Sequence, residues 1–453
     1  MAINKRLIIW LIKAYFKKWR KTILLFFIAG LACFFLLRLF LTTIIAKFPV
    51  IHKETIGVVG AYTVDTLPQY IVHDIAQGLT TVDISGNPKP DLASSWDIKD
   101  GGKTYVFHLK KNLFFTDGTP FNSSEIQYSF ADVKIDRPDP LTIVFHLKDP
   151  YAPFLVTAAR PVFINGFVGV GDFRIKDIKL NSDFVASMTL VGANGQLEVK
   201  VYQFYPTQEA LRLAFVLGNV TKAIGLTDLS FKNTSLASFP NAGITKNTDY
   251  SQLVTIFYNT QDKTLSDKRL RDALSYALPN TFSEGTRANG PYSPYSWAYQ
   301  IDTLHAQQDV VHAKLLMDTI QGGDKSSQIP PLTLSVMPKY KQVAQDVATA
   351  WNAIGITTNI KVVTSGVPTN FEMYLGNFYV PQDPDQYTLW HSDQINNISQ
   401  YRSLRIDKLL EDGRKTINKE DRKNIYADFQ KYLLDDQPAS FLYFPYTFTV
   451  SRK

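Results

Sequence analysis

The first 53 residues carry ten Lys/Arg and no Asp or Glu, and they enclose an apolar run of 25 residues, 22–46. About 20 apolar residues in a helix cross a hydrocarbon core. The sequence therefore predicts a transmembrane helix over 22–46, preceded by a basic tail at 1–21. Seven of the ten basic residues lie before the run, which by the positive-inside bias puts the N-terminus in the cytoplasm and residues 48–453 on the outer, periplasmic face of the cytoplasmic membrane. Arg38 sits close enough to the outer end to snorkel to the headgroups. The run is longer than the core of a cleaved signal peptide, and no small-residue cleavage site follows before Lys47, so retention as an anchor is expected. Lipidation of Cys33 is not expected, because Phe34-Phe35-Leu36-Leu37 continues the span. Residues 3–19 mix Trp, Tyr, Phe and Ile with lysines, a composition that suits an anionic inner leaflet.

Removing the anchor changes what the charge means. The whole chain is +7, yet without residues 1–53 it holds 38 basic against 41 acidic residues, a net of −3. A nucleic-acid footprint needs a basic patch on the folded part, and none is expected. The lone Cys lies inside the span, so the exported part has no disulfide and depends on its core. At this length that part implies more than one lobe.

Alternation of period two marks strands at 104–110 and 142–148, with Tyr105, Phe107, Leu109, Ile143, Phe145 and Leu147 facing inward. Their outer faces carry His108 and His146, which lack a third ligand at matching spacing, so no metal site is expected. Asn122 and Glu125, with Phe121 ahead, predict a capped helix running through Phe130. Ser266 precedes a helix with Leu270, Ala273, Leu274, Ala277 and Leu278 on one face. Residues 332–337, a stripe from Tyr340 to Trp351, and residues 358–363 predict a parallel βαβ unit. Helices at 404–416 and 419–434 and an aromatic strand at 440–450 complete the chain.

No phosphate loop, zinc helix, nucleophile elbow or paired CxxC occurs, and the chain is not expected to be an enzyme. Abundant instead are amphipathic aromatics in polar loops: Tyr292, Tyr295, Trp297 and Tyr299 in one, and Tyr379, Tyr387, Trp390 and His391 around Asp383-Pro-Asp385. Rings with a few carboxylates and amides suit a cleft for a polar organic solute, although core packing accounts for each residue equally well.

Pro90-Asp-Leu-Ala-Ser-Ser-Trp96, Thr104-Tyr-Val-Phe-His-Leu109, Phe114-Phe-Thr-Asp-Gly-Thr-Pro-Phe121 and Tyr128-Ser-Phe130 occur in series. Asp149-Pro-Tyr-Ala-Pro-Phe154, Phe257-Tyr-Asn-Thr260, the run from Asp267 to Ala277, Asp383-Pro-Asp385, the run from Asn397 to Ser403 with Asp407, and the run from Asp435 to Pro445 follow in order. This ordered series resembles the extracytoplasmic solute-binding proteins of the peptide/nickel class of ABC importers, over nearly all of residues 55–447. The resemblance implies an α/β, two-lobed periplasmic-binding-protein-like fold of the class II (cluster C) type with a small extra β-rich subdomain. Lobe I would comprise 52–75, 160–255 and 435–453, with the subdomain at 76–159 and lobe II at 256–434. The chain would cross between lobes near 250–259 and 434–438.

The implied function is a membrane-anchored receptor that captures peptides, or a similar small polar solute, between two lobes. It would deliver them to an ABC permease with a separate ATPase, without a cofactor of its own. An anchored sensor or interaction protein on the same fold, and an envelope hydrolase, are the alternatives. The resemblance and the loop aromatics together nominate Tyr62, Trp297 and Tyr299 as apolar walls, Asp383 and Asp385 as cation partners, and Trp390, His391, Asn397 and Tyr401 as rim or orienting groups. Turn chemistry competes for the two aspartates. Three features depart from the family pattern: a short connection at 131–141, Val380 where peptide-binding relatives place an ammonium-binding Asp, and the retained protein anchor.

Overall fold

The computed structural model describes residues 5–45, 51–193, 195–300, 307–322, 329–364 and 366–453. It divides into two compact units, taken in turn: the N-terminal residues to Lys53 with Leu197–Val199, and Glu54–Gln196 with Lys200–Lys453.

In the first unit a single helix runs from Lys5 to Ile45, 41 residues. At 1.5 Å per residue it is about 60 Å long, roughly twice a hydrocarbon core. Its apolar stretch, Ile12–Leu41, is wholly exposed. The basic segment before residue 22 is thus helical from Lys5 onward and continuous with the apolar part, while Ala46 lies outside the described residues.

The second unit is organised by a sheet of twelve strands among the described residues. The Gln252–Tyr258 strand is buried along nearly its whole length, as a central strand covered on both faces must be. Its alternation sorts two cores. Val254, Ile256 and Tyr258 face one with Leu334, Val336, Met373 and Trp351, while Leu253 and Phe257 face another with Tyr374, Phe378, Trp390, Tyr426 and Phe429.

The expected βαβ unit is present. The Leu332–Val336 and Thr358–Val362 strands pair in parallel around the Lys341–Asn352 helix, which buries Val343, Ala344, Val347 and Trp351. The Trp351 indole donates to the Leu274 carbonyl at 2.8 Å, tying this helix to Lys268–Tyr276. Truncation of such a buried Trp to Ala costs about 3–5 kcal/mol.

The last strand, Ala439–Arg452, joins the halves of the sheet. Residues 439–443 pair with Gln252–Tyr258, and residues 446–452 pair with the Ala242–Thr248 strand. Pro445 thus lies between the two pairings, within a single continuous strand. The Asp249–Ser251 turn lies next to it, because Thr248 pairs with Tyr446 and Gln252 with Tyr379.

A separate four-stranded antiparallel sheet joins Ala93–Lys99, Thr104–Leu109, Thr142–Leu147 and Val133–Asp139. Tyr105, Phe107, Ile143 and Phe145 fill its core as the alternation predicts. His108 and His146 each face a single aspartate, Asp97 and Asp136.

Two local expectations change. The helix expected through Phe130 is one 3-10 turn, Ser123–Glu125, capped by Asn122. Beyond it Ile126 and Tyr128 are both buried, and a two-residue spacing of core side chains draws the chain extended. The helix after Ser266 takes Asp267 as its cap, accepting from the Arg269 amide at 2.9 Å.

Candidate functional site

In open α/β sheets, ligands bind beyond the carboxyl ends of parallel strands. The His52–Val59 strand runs parallel to Lys222–Leu226 in one half, and Leu332–Val336 runs parallel to Met373–Tyr379 in the other. Tyr379 ends its strand, and Tyr62, Lys339 and Tyr340 stand just past the ends of theirs.

Tyr62 is half-buried; its hydroxyl donates to the Val59 carbonyl at 3.0 Å and its ring meets Phe204 edge-on at 5.5 Å. Burial raises its pKa, and the Tyr379 phenol from the other half of the sheet raises it further. Tyr70, its ring 6.4 Å from that of Tyr202, has its pKa raised by burial and, less, by Tyr62. Tyr379 itself is 73% exposed, so its ring is presented rather than packed.

Behind Tyr379, Asn377 holds a polar chain. Its Oδ1 accepts from the Tyr340 hydroxyl at 2.9 Å and the Lys339 ammonium at 3.2 Å, and its Nδ2 donates to Gln252.

The loop after Tyr379 carries the nominated aspartates, but their charge faces protein. Arg422 donates twice to Asp383, at 2.7 and 3.1 Å, in a buried pair. Burial pulls the Arg422 pKa down, yet Asp383 and Tyr426 outweigh it and the net shift is upward. Asp385 accepts from Arg414 Nε at 2.7 Å and from the Tyr387 amide. Burial raises its pKa against the opposing effect of Arg414. Asp383 also accepts from the Asp385 amide, so both the turn chemistry and the ion pairs draw on these groups.

Four nominated rim residues form a packed plug instead. Trp390 is 1% exposed, and its indole donates to Gln386 at 2.8 Å. His391 stacks on Tyr387 at 4.1 Å, and its Nδ1 accepts from the Asp393 amide. Asn397 donates to the Tyr401 and His391 carbonyls, and the Tyr401 hydroxyl donates to Asp436. Each satisfies loop backbone or core groups that would otherwise be buried without partners.

Trp297 is positioned differently. Its backbone amide donates to the Ser85 carbonyl at 3.0 Å, and its ring packs near Tyr426 and under the Arg422 guanidinium. It therefore clasps the 83–87 turn against the second half of the sheet's helices, together with Lys419, which donates to Asn87. Tyr299 is half-buried against the same core.

Of the nine nominated residues, only Tyr62 thus stands at the strand ends. Tyr379, which the sequence grouped with the loop aromatics, Tyr340, which it left to the helix stripe, and Lys339, which it did not single out, stand there too. For Lys339 and Tyr340 the signal is position, the first residues beyond the predicted 332–337 strand. Arg414 and Arg422 gave no local signal.

The family model of bacterial extracellular solute-binding proteins, family 5, matches residues 87–134 and 128–399. The chain belongs to this family. Oligopeptide-binding protein AppA of Bacillus subtilis is 24% identical over 461 residues, covering 85% of this chain and 83% of its own. Among solved structures, NikZ of Campylobacter jejuni in complex with Ni(L-His) superposes with a TM-score of 0.73 at 20% identity, covering 89% of this chain and 95% of that one. The substrate-binding protein CtaP of Listeria monocytogenes gives 0.74 at 21% identity, covering 88% and 94%. These neighbours fix the two-lobed fold of family 5. Family 5 proteins are extracytoplasmic binding proteins of ABC importers, and the chain is a solute-binding protein of this kind.

Proposed function

We propose that this protein is a membrane-anchored receptor that closes its two lobes on a small polar solute, a short peptide foremost, and hands it to an ABC permease driven by a separate ATPase. The observation that carries the reading is the family 5 match over residues 87–134 and 128–399, with Tyr62 and the exposed Tyr379 at the carboxyl ends of parallel strand pairs in the two halves of the sheet. A guest touching both walls stabilises the closed arrangement by its differential contact with the two states. The lobes divide at the Asp249–Ser251 turn and inside the last strand beside Pro445, and the 76–159 segment forms a subdomain around the four-stranded sheet. The Lys5–Ile45 helix retains the protein in the cytoplasmic membrane with its N-terminus inside, and the binding lobes have no catalytic task.

Native mass spectrometry of the full-length chain in detergent tests this. Short peptides or similar solutes leaving the protein in one-to-one ratio are expected. Uniformly empty protein whose melting temperature no peptide pool shifts would refute the receptor reading.

A further inference from the structure

The seam has a cation and no free anion to match it. Lys339 follows the Leu332–Val336 strand at the Tyr340 end of the wall, with its ammonium 3.2 Å from the neutral Asn377 amide oxygen and 4.6 Å from the Tyr340 ring centroid. Among the described residues no carboxylate lies within ion-pair distance of it. It is open to solvent, and the protein around the ammonium lowers its pKa by desolvation. Acidic groups in the surrounding loops are otherwise engaged or set apart. Asp249 accepts from Ser251 and Gln252, Asp383 and Asp385 hold Arg422 and Arg414, and Asp65 lines a separate cavity with Leu67 and Arg160. At position 380, Val takes the place of any carboxylate.

From this juxtaposition we infer that Lys339 is the charge-recognising group of the cleft and that the solute is held by a carboxylate, with no requirement for an ammonium. The inference rests on the receptor reading and adds the solute's charge class to it. A solute carboxylate would accept from the Lys339 ammonium, which has donors left beyond its bond to Asn377. Its apolar part would lie between the Tyr62 and Tyr379 rings. An ammonium placed there would meet Lys339 and find no buried carboxylate, an arrangement disfavoured by like-charge repulsion and desolvation.

Tripeptide pools in three forms, with both ends free, N-acetylated, or C-amidated, are titrated onto full-length protein in detergent, for the wild type, Lys339→Met and Lys339→Arg. The acetylated pool is expected to bind at least as tightly as the free pool. The amidated pool is expected to bind about ten- to a hundredfold more weakly, the worth of one hydrogen bond to a charged group. Lys339→Met should impose the same loss on the acetylated and free pools and leave the amidated pool unchanged, Lys339→Arg should recover most of it, and the unliganded melting temperature should stay put. If the amidated pool binds wild type as well as the acetylated one, or Lys339→Met leaves acetylated binding unchanged, the inference is overturned while the receptor reading stands. If wild type binds none of the three pools, both fall.

Discussion

The guanidinium of Arg422 holds the carboxylate of Asp383 through two hydrogen bonds, Nη2 to Oδ1 at 2.7 Å and Nη1 to Oδ2 at 3.1 Å, with both side chains buried. Arg422 also donates to the Gly413 carbonyl and the Tyr426 hydroxyl. One residue thus joins the 382–386 loop, the end of the Leu404–Lys415 helix and the helix that follows.

Removing one partner of such a pair leaves an uncompensated buried charge, at a cost of about 3–5 kcal/mol. Asp383→Ala is expected to lower stability by that order in urea unfolding. Asp383→Asn, which keeps the shape and one acceptor, should cost less. Unchanged melting in both would return Asp383 to the pool of ligand-facing groups.

Asp385 supplies a pH signature. Its folded pKa lies above the ordinary carboxyl value because of burial, so folding takes up a proton between the unfolded and folded values. The contribution of this group to stability therefore falls as pH rises from the ordinary value of 3.8 through the raised folded value, and is level beyond it. The stability difference between wild type and Asp385→Asn should shrink over that acidic window. A difference that instead grows with pH there would contradict the assignment.

The clasp at Trp297 and the 83–87 turn is testable through Gly86. Its φ of +84° is one that L side chains rarely adopt, and an added Cβ would meet the Gln382 carbonyl. The left-handed backbone alone costs a side chain about 1–2 kcal/mol. Gly86→Ala is expected to separate the turn from Gln382, speed proteolysis at 83–87 and weaken solute affinity several-fold. Protection equal to wild type would show that the turn does not depend on its contact with Gln382.

Trp297→Ala removes the ring under Arg422 and beside Tyr426. Cation–π and ring contacts of this kind are worth about 0.5–2 kcal/mol. A modest drop in melting temperature and faster amide exchange at Ser85–Asn87 are expected, since the backbone bond from Trp297 to Ser85 loses its support. An unaltered exchange pattern would relegate Trp297 to a bystander.

The sequence made much of the fold legible because its periodicities are strong. The alternation at Tyr105, Phe107 and Phe145 and the stripe from Val343 to Trp351 each admit one element type. The shortened turn at Ser123–Glu125 was illegible for the opposite reason: a capping signal was present, but Ile126 and Tyr128 were claimed by the core beneath. At the site, Asp-Pro-Asp reads the same whether its carboxylates face a guest or an arginine. The arginines that decide the matter lie 29 and 39 residues further along the chain. Trp390, His391, Asn397 and Tyr401 look like rim residues because they sit in a segment of little regular structure, yet their polar atoms bond the loop's own backbone and core. Tyr62 was accessible to inference, whereas Lys339 becomes meaningful only once the strand order sets two carboxyl ends against one seam.

Closure on a solute is measured most directly as a distance across the seam. Spin labels at Leu180→Cys and Val311→Cys, both exposed and on opposite halves, in a Cys33→Ser background of the full-length chain, report it by double electron–electron resonance. The account predicts a broad distance distribution that shortens and narrows when the N-acetylated tripeptide pool is added. A distribution that stays the same while that pool binds would contradict capture between the lobes.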